Sequence, residues 1–245
     1  MIESLKQDGF VYAPWKMKFS EVGEFYNHLN LCQVFNAHVQ AKSDKTSFCR
    51  DARRIKDWPI FSFSMQDVIT APYFFEYALR GFDVAKKYFE EFPRLYSINA
   101  FCTQPGSYEY RDTHSWHRDG DDRKQLAMFM YGTNVHTIED GPQLYQRGSH
   151  LNCDSDFSYS GQTLPPETVK TVAGSAGTIF FNDPRGYHMG IRPSKFRMLV
   201  WARWGVSNPP EAYVWDNNRP VSKDLLGDRY PNDPELQEAI KLVVV

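Results

Sequence analysis

The chain has 245 residues, 16% of them aromatic, with 28 basic and 30 acidic side chains and a formal net charge of −2. That length suits one substantial core, and the near-balanced charge argues against a nucleic-acid or membrane-surface partner. No apolar run is long enough to span a bilayer, and Met1 to Asp8 lack the apolar centre of a signal peptide, so a cytoplasmic protein is expected.

In chain order, Asp8-Gly9-Phe10-Val11-Tyr12 reads as a turn entering a short strand, and Ser20 is placed to cap a helix running to about Asn30. Lys42 to Asp57 is charged and aperiodic, with Arg50, Arg53 and Arg54 close together. It reads either as an exposed loop or as a lid over an active-site mouth. Gln66–Arg80 and Phe82–Phe92 carry apolar residues at helical spacing, interrupted near Pro72, Gly81 and Pro93. Residues 1–95 are therefore expected to form a helical covering region.

From Tyr96 the pattern changes to short strands and turns. Leu126–Tyr131 is almost wholly apolar, as expected of a strand buried on both faces, and Gly141-Pro142 marks a turn before a strand over Gln143–Gln146. Asn152 to Lys170 is polar, contains Pro165-Pro166 and reads as a long loop that contacts substrate. Thr178 to Phe181 is an apolar strand, followed by a turn with Pro184 and Gly186 that delivers His188. Arg197–Trp204 is a further strand, on which residues 197, 199, 201 and 203 share one face. The tail from 205 reads as surface coil ending in a short helix over Pro234–Leu242.

Chemistry concentrates at His117, Asp119 and His188. In a strand, residues i and i+2 point the same way about 6–7 Å apart, so His117 and Asp119 can share one ion, with Arg118 directed away. Two imidazoles and a carboxylate on one face of an octahedral ion leave the opposite face open, which suits Fe(II) chemistry with O₂. Structural zinc would close its shell and usually recruit cysteine, and no C-x-x-C occurs among Cys32, Cys49, Cys102 and Cys153. The same lack of a short pairing pattern fits a reducing compartment. An arginine at 197, on the inner face of its strand, requires an anion, and a guanidinium matches a carboxylate in a bidentate way.

The region from about Tyr96 to Trp204 resembles the Fe(II)/2-oxoglutarate-dependent dioxygenases of the phytanoyl-CoA dioxygenase type. Trp116-His117-Arg118-Asp119 is similar to the family's first iron motif. Glu139-Asp140-Gly141-Pro142 with Gly148-Ser149-His150 is similar to the segment that follows it, and His188 and Arg197 match the distal ligand and the arginine that holds the far carboxylate of 2-oxoglutarate. The resemblance implies a mainly β fold with packed helices around a double-stranded β-helix, a cupin-like jelly roll. It implies one domain over 1–245, with the jelly roll over 96–204 and an extension over 205–245. It further implies Fe(II), 2-oxoglutarate and O₂ as reactants, with hydroxylation of a small-molecule substrate coupled to oxidative decarboxylation of the co-substrate.

Two positions depart from the family pattern. Arg147 stands where proline often precedes Gly-Ser-His, and Gly190 stands where a hydroxyl residue often follows the distal histidine by two places. Thr178 or Tyr131 is then the candidate to supply that hydroxyl to the co-substrate. Asp119 is present where halogenating relatives have Gly or Ala, which favours hydroxylation. His114, His136 and His150 are expected to be substrate-facing, structural or supporting groups, since a fourth ligand would consume an open coordination site. The Arg50, Arg53 and Arg54 group is either a solvated loop or a receiver for an anionic substrate. Two other classes share these features: a cupin-like iron dioxygenase that does not use 2-oxoglutarate, and a non-catalytic jelly-roll binding module. The sequence specifies neither the substrate nor the oligomeric state.

Overall fold

A computed structural model describes residues 1–37, 46–56, 58–106, 114–152, 165–210 and 219–245. Residues 42–45 and 57 of the expected 42–57 loop and 153–164 of the expected 152–170 loop, including Cys153, lie outside the described residues, and residues 46–52 form a strand and a short helix where an irregular loop is expected. The core is a jelly roll of two antiparallel sheets. The larger contains β1 (Phe10–Lys16), β2 (Gln33–Asn36), β3 (Thr46–Phe48), β4 (Ile60–Phe63), β5 (Arg94–Thr103), β6 (Gln125–Tyr131), β9 (Thr178–Asn182) and β11 (Arg197–Gly205) in the order β1-β9-β6-β11-β5-β4-β2-β3. The smaller is ordered β10-β7-β8, with β7 at Gln143–Gln146, β8 at Val169–Val172 and β10 at His188–Gly190.

Strand alternation divides the interior in two. Leu126, Met128 and Met130 of β6 and Met198, Val200 and Ala202 of β11 turn outward onto the helical layer. Ala127, Phe129 and Tyr131, with Phe180 and Trp201, turn inward between the sheets. All seven residues of β6 are buried, as the continuous apolar run predicts. β11 pairs along its length with β5 and with β6, which places Arg197 opposite Thr103, and Trp201 opposite Asn99 and Phe129.

Several expectations change in the first ninety-five residues. The region is not only helical: the strand expected after Gly9 is β1, which runs along β9, and β2 to β4 add three more, with β4 along β5. An additional helix, α1 (Ile2–Asp8), ends on Gly9, whose φ of 72° is accessible to glycine without strain. The next, α2, spans Phe19–Asn30 and is capped by Glu21, which accepts the Lys18 N–H at 2.9 Å, so Ser20 is not its cap. After the short α3 (Cys49–Ala52), the two expected helices are divided into α4 (Met65–Thr70), α5 (Phe74–Leu79) and α6 (Gly81–Phe89). The breaks fall at Pro72 and Gly81, where a ring without an N–H and a residue without a Cβ weaken helix continuity.

The tail is also more than surface coil. Val221, Leu226, Ala239, Ile240, Val243 and Val244 are buried, Val221 bridges Val244, and α7 (Pro234–Ile240) starts on the Asp233 carboxylate. Apolar burial explains why this segment stays on the body despite its polar composition. Cys32, Cys49 and Cys102 are free thiols, and no helix among the described residues is long and apolar enough to cross a membrane.

Candidate metal centre

His117 forms an isolated antiparallel bridge with His188, with reciprocal N–H to O bonds of 3.0 Å, and this joins the first motif to the smaller sheet. Asp119 is fixed on the same side by its own N–H, which donates to Pro184 O at 2.8 Å. The ligand atoms of His117, Asp119 and His188 all lie within 4.8 Å of one another. Their side chains are 13%, 19% and 7% exposed.

The tautomers follow from the partners. His117 Nδ1 is 2.8 Å from Ser115 O, and His188 Nδ1 is 2.9 Å from Gly186 O. A carbonyl only accepts, so both Nδ1 atoms carry the proton and both Nε2 atoms present lone pairs. Those Nε2 atoms are 3.7 Å from Asp119 Oδ1 and 3.9 Å from Asp119 Oδ2 respectively. These separations are too long for hydrogen bonds and suit three ligands around one ion. The donor set therefore fits a divalent transition metal with an open face.

Electrostatics keep His188 and Asp119 in their ligating forms. Burial, and then the neighbouring His117, push His188 down to about 4, so it is neutral at neutral pH. Burial raises Asp119, but Arg203, His188 and His117 together outweigh it and hold the carboxyl below its ordinary value. Arg203 is the permanent charge in that set. Its Nη2 is 3.4 Å from Asp119 Oδ2, and its Nη1 is 2.6 Å from Asp121 Oδ2, which also accepts from the Tyr96 hydroxyl at 2.8 Å.

The motif after the first ligands has a mechanical role. Asp140 accepts the N–H groups of His136 and Thr137 at 3.0 Å each and pairs with Lys195 at 2.9 Å. This holds Gly141 at φ 75°, where its carbonyl accepts from Arg197 Nη1. A Cβ at Gly141 would meet Ile191 O at 2.7 Å, so the close approach requires glycine. Ser149 accepts Tyr187 N–H at 2.8 Å and donates to Gln146 O at 2.7 Å, anchoring the turn just before His188.

A cavity of about 260 Å³ opens beside the triad, with His117, Asp119 and His188 in its wall. The four odd positions of β11, Arg197, Leu199, Trp201 and Arg203, all line it, as strand alternation predicts. Arg197 is buried and donates Nη2–H to Thr103 Oγ1 at 3.4 Å. Thr178 and Tyr131 do not line this cavity. Thr178 packs against Gly174, and the Tyr131 hydroxyl donates to Val172 O at 2.7 Å while accepting Gln143 N–H at 3.2 Å.

Sequence reasoning did not single out Gln143, which lines the cavity directly across from Gly190 in the β7–β10 pair. It is 5% exposed, and its Oε1 has no hydrogen-bond partner among the described residues. Only the pairing of two strands remote in sequence reveals that an amide faces the position where the hydroxyl is missing.

The remaining candidates lie elsewhere. Arg118 extends away from the triad over the Tyr187 ring at 4.0 Å and donates to Asn152 O at 2.8 Å. Arg147 donates to Glu167 O at 2.9 Å, and Arg192 to Gly106 O at 3.4 Å. Arg53 is held between Tyr26 and Phe196 and donates to Asn30 at 2.7 Å, which makes it a packing residue, while Arg50 lies over Phe48. His136 is exposed, and His150 is 3.0 Å from Lys6 O; neither these nor His114 belongs to the triad.

No protein-family model and no curated protein matches the chain. Solved structures do match it. The epimerase SnoN in complex with Fe³⁺, α-ketoglutarate and nogalamycin RO superposes with a TM-score of 0.57 at 17% identity, covering 83% of this chain and 81% of that one. The non-haem α-ketoglutarate-dependent carbocyclase SnoK from nogalamycin biosynthesis gives 0.56 at 18% identity over 83% and 81%. HygX from Streptomyces hygroscopicus, with nickel, 2-oxoglutarate and hygromycin B bound, gives 0.57 at 16% identity over 83% and 85%. The likeness is one of fold. It places the chain among double-stranded β-helix architectures, and the case for chemistry rests on this chain's own residues.

Proposed function

We propose that the protein is a mononuclear non-haem Fe(II) oxygenase that consumes 2-oxoglutarate and O₂ to hydroxylate a small organic molecule. The observation that carries this reading is the convergence of two Nε2 lone pairs and one carboxylate in the wall of a cavity that Arg197 also lines. Bound there, Fe(II) with 2-oxoglutarate and O₂ supplies oxidative decarboxylation to succinate and CO₂ and an oxidant able to attack a C–H bond.

The chain's own groups have separable tasks. His117, Asp119 and His188 hold the metal, each fixed beforehand by a bond to a backbone carbonyl. Arg203 keeps Asp119 ionised without a proton to lose. Arg197 receives the far carboxylate of 2-oxoglutarate, oriented by Gly141 O and Thr103. Gln143 takes the part expected of a hydroxyl at 190, its amide Nε2–H donating to the same carboxylate. Phe101, Phe129, Leu199 and Trp201 keep the reacting volume dry, which limits misdirected oxidation.

An anaerobic titration of Fe(II)-loaded protein with 2-oxoglutarate tests the reading. A saturable visible charge-transfer band, lost in His188→Ala, is expected. Iron binding without the band points to a dioxygenase that does not use 2-oxoglutarate, and absence of iron binding points to a non-catalytic jelly roll. Hydroxylation is tested separately with ¹⁸O₂: product gains one labelled oxygen. Loss of two hydrogens or inversion of a centre replaces hydroxylation with the kinds of outcome that carbocyclases and epimerases of this architecture produce.

A further inference from the structure

The residues assigned to metal and co-substrate leave one wall of the cavity with no task beyond excluding water. Phe101 and Trp201 meet edge to face with centroids 4.4 Å apart, Phe129 lies 6.4 Å from the same indole, and Ile60 completes the apolar side. Rigid aromatic faces of this kind favour flat or ring-shaped apolar surface.

Asn99 is the polar side chain set into that wall, across the β5–β11 pair from Trp201. Its orientation is determined. The Ala100 N–H can only donate, so the Asn99 atom 2.7 Å from it is the oxygen. The Ser62 hydroxyl then donates to the same Oδ1 at 2.9 Å. Rotating the amide would break the bond from Ala100 and set two donors, Nδ2–H₂ and the Ala100 N–H, against each other. Nδ2–H₂ is therefore the end turned away from these partners, and it offers the cavity a donor.

Charge sets the second property. Arg203 lines this side, and it is paired with both Asp119 and Asp121. With Fe(II) and 2-oxoglutarate in place, the two metal charges and the charges of Arg197 and Arg203 are matched by Asp119, Asp121 and the two carboxylates of the co-substrate. Among the described lining residues no further positive charge is left to meet an anionic substrate. A carboxylate or phosphate against this wall would be desolvated without compensation.

We propose that the primary substrate is electrically neutral where it enters the cavity, lays a ring against Phe101 and Trp201, and carries an acceptor atom that takes a hydrogen bond from Asn99. The acceptor is a carbonyl or ether oxygen or a ring nitrogen. The assignment rests on the reading of the site as an Fe(II)/2-oxoglutarate centre.

Three naphthalenes of similar size test it on the anaerobic Fe(II)/2-oxoglutarate complex, with dissociation constants read from the shift of the charge-transfer band and from tryptophan fluorescence. 2-Acetylnaphthalene is neutral with an acceptor, 2-naphthoate is the anion of nearly the same shape, and 2-ethylnaphthalene is neutral without an acceptor. The ketone is expected to bind at least tenfold tighter than the carboxylate and severalfold tighter than the hydrocarbon. Asn99→Leu should bring the ketone down to the hydrocarbon's affinity, with 2-oxoglutarate binding by the variant reporting that the site has kept its shape. Equal or tighter binding of 2-naphthoate, no binding of the ketone, or an unaltered ketone affinity in Asn99→Leu overturns the proposal. Failure of the wild-type protein to give the charge-transfer band is a different result. It removes the oxygenase reading itself, and the substrate assignment with it.

Discussion

Replacing Arg203 with methionine tests the electrostatics of the proposed centre without touching a proposed metal ligand. Arg203 is 23% exposed and bridges Asp119 and Asp121, which are 19% and 14% exposed, at 3.4 and 2.6 Å. Methionine keeps much of the aliphatic stem and deletes the charge. Removing one partner of a largely buried ion pair costs about 3–5 kcal/mol, because the remaining charges stay desolvated. For a chain of this size each kcal/mol moves the melting temperature by roughly 2–4 °C, so the metal-free variant is expected to melt roughly 10 °C below the wild type. Saturating Mn(II) should close part of that gap. A divalent ion at His117, Asp119 and His188 supplies positive charge beside Asp119, and linkage then stabilises the variant more than the wild type. Differential scanning calorimetry in EDTA and in Mn(II) measures both quantities. Equal melting of the two metal-free proteins, or a gap that Mn(II) leaves unchanged or widens, refutes the reasoning.

Three further outcomes are expected. Metal-free protein should lose stability as pH falls from about 6.5, where His188 would take up a proton in the unfolded chain, to about 4, where it does so when folded. Protonation favours the unfolded state across that window, so stability is complete above it and about 3 kcal/mol is lost below it. Urea unfolding compared with His188→Gln isolates this contribution, and identical pH profiles for the two proteins contradict it. Arg197→Leu should weaken 2-oxoglutarate binding by about 10- to 100-fold, and Gln143→Leu by about 3- to 10-fold, as charged and neutral hydrogen bonds differ. Titration of the charge-transfer band measures both, and an unchanged constant for Gln143→Leu returns the missing contact at Gly190 to another residue. Asp119→Ala should abolish succinate formation and weaken Mn(II) binding, and retained turnover would remove it from the ligand set.

Much of the barrel was legible because its signals are local. The period-2 pattern of β11 identified 197, 199, 201 and 203 as one face, and all four line the cavity. The unbroken apolar run at Leu126–Tyr131 indicated a strand covered on both sides, which it is. Arg118 points away from the triad as expected, although residues 117–119 make an isolated bridge and not the expected strand. Helix ends were read less well. Glu21 and not Ser20 caps α2, and the seven residues of α1 carry too little periodicity to stand out in the sequence. The strands β2, β3 and β4 are hidden for a related reason: they are three or four residues long and exist as strands through pairing with neighbours elsewhere in the chain.

By itself, the sequence determined which residue types could ligate a metal and which face of β11 would carry Arg197, since side-chain alternation is a property of the extended backbone alone; residues 117–119, expected as a strand, form an isolated bridge at His117. Only the tertiary structure decided which of those faces meet. The bridge between His117 and His188 turns two distant motifs into one centre. The β7–β10 pair brings Gln143 opposite Gly190 and leaves Thr178 and Tyr131 outside the cavity wall. The β5–β11 pair sets Asn99 beside Trp201, with its amide oriented by Ser62 and Ala100. Strand partners and register depend on which buried surfaces fit together across the whole chain, and no local window of sequence contains that information.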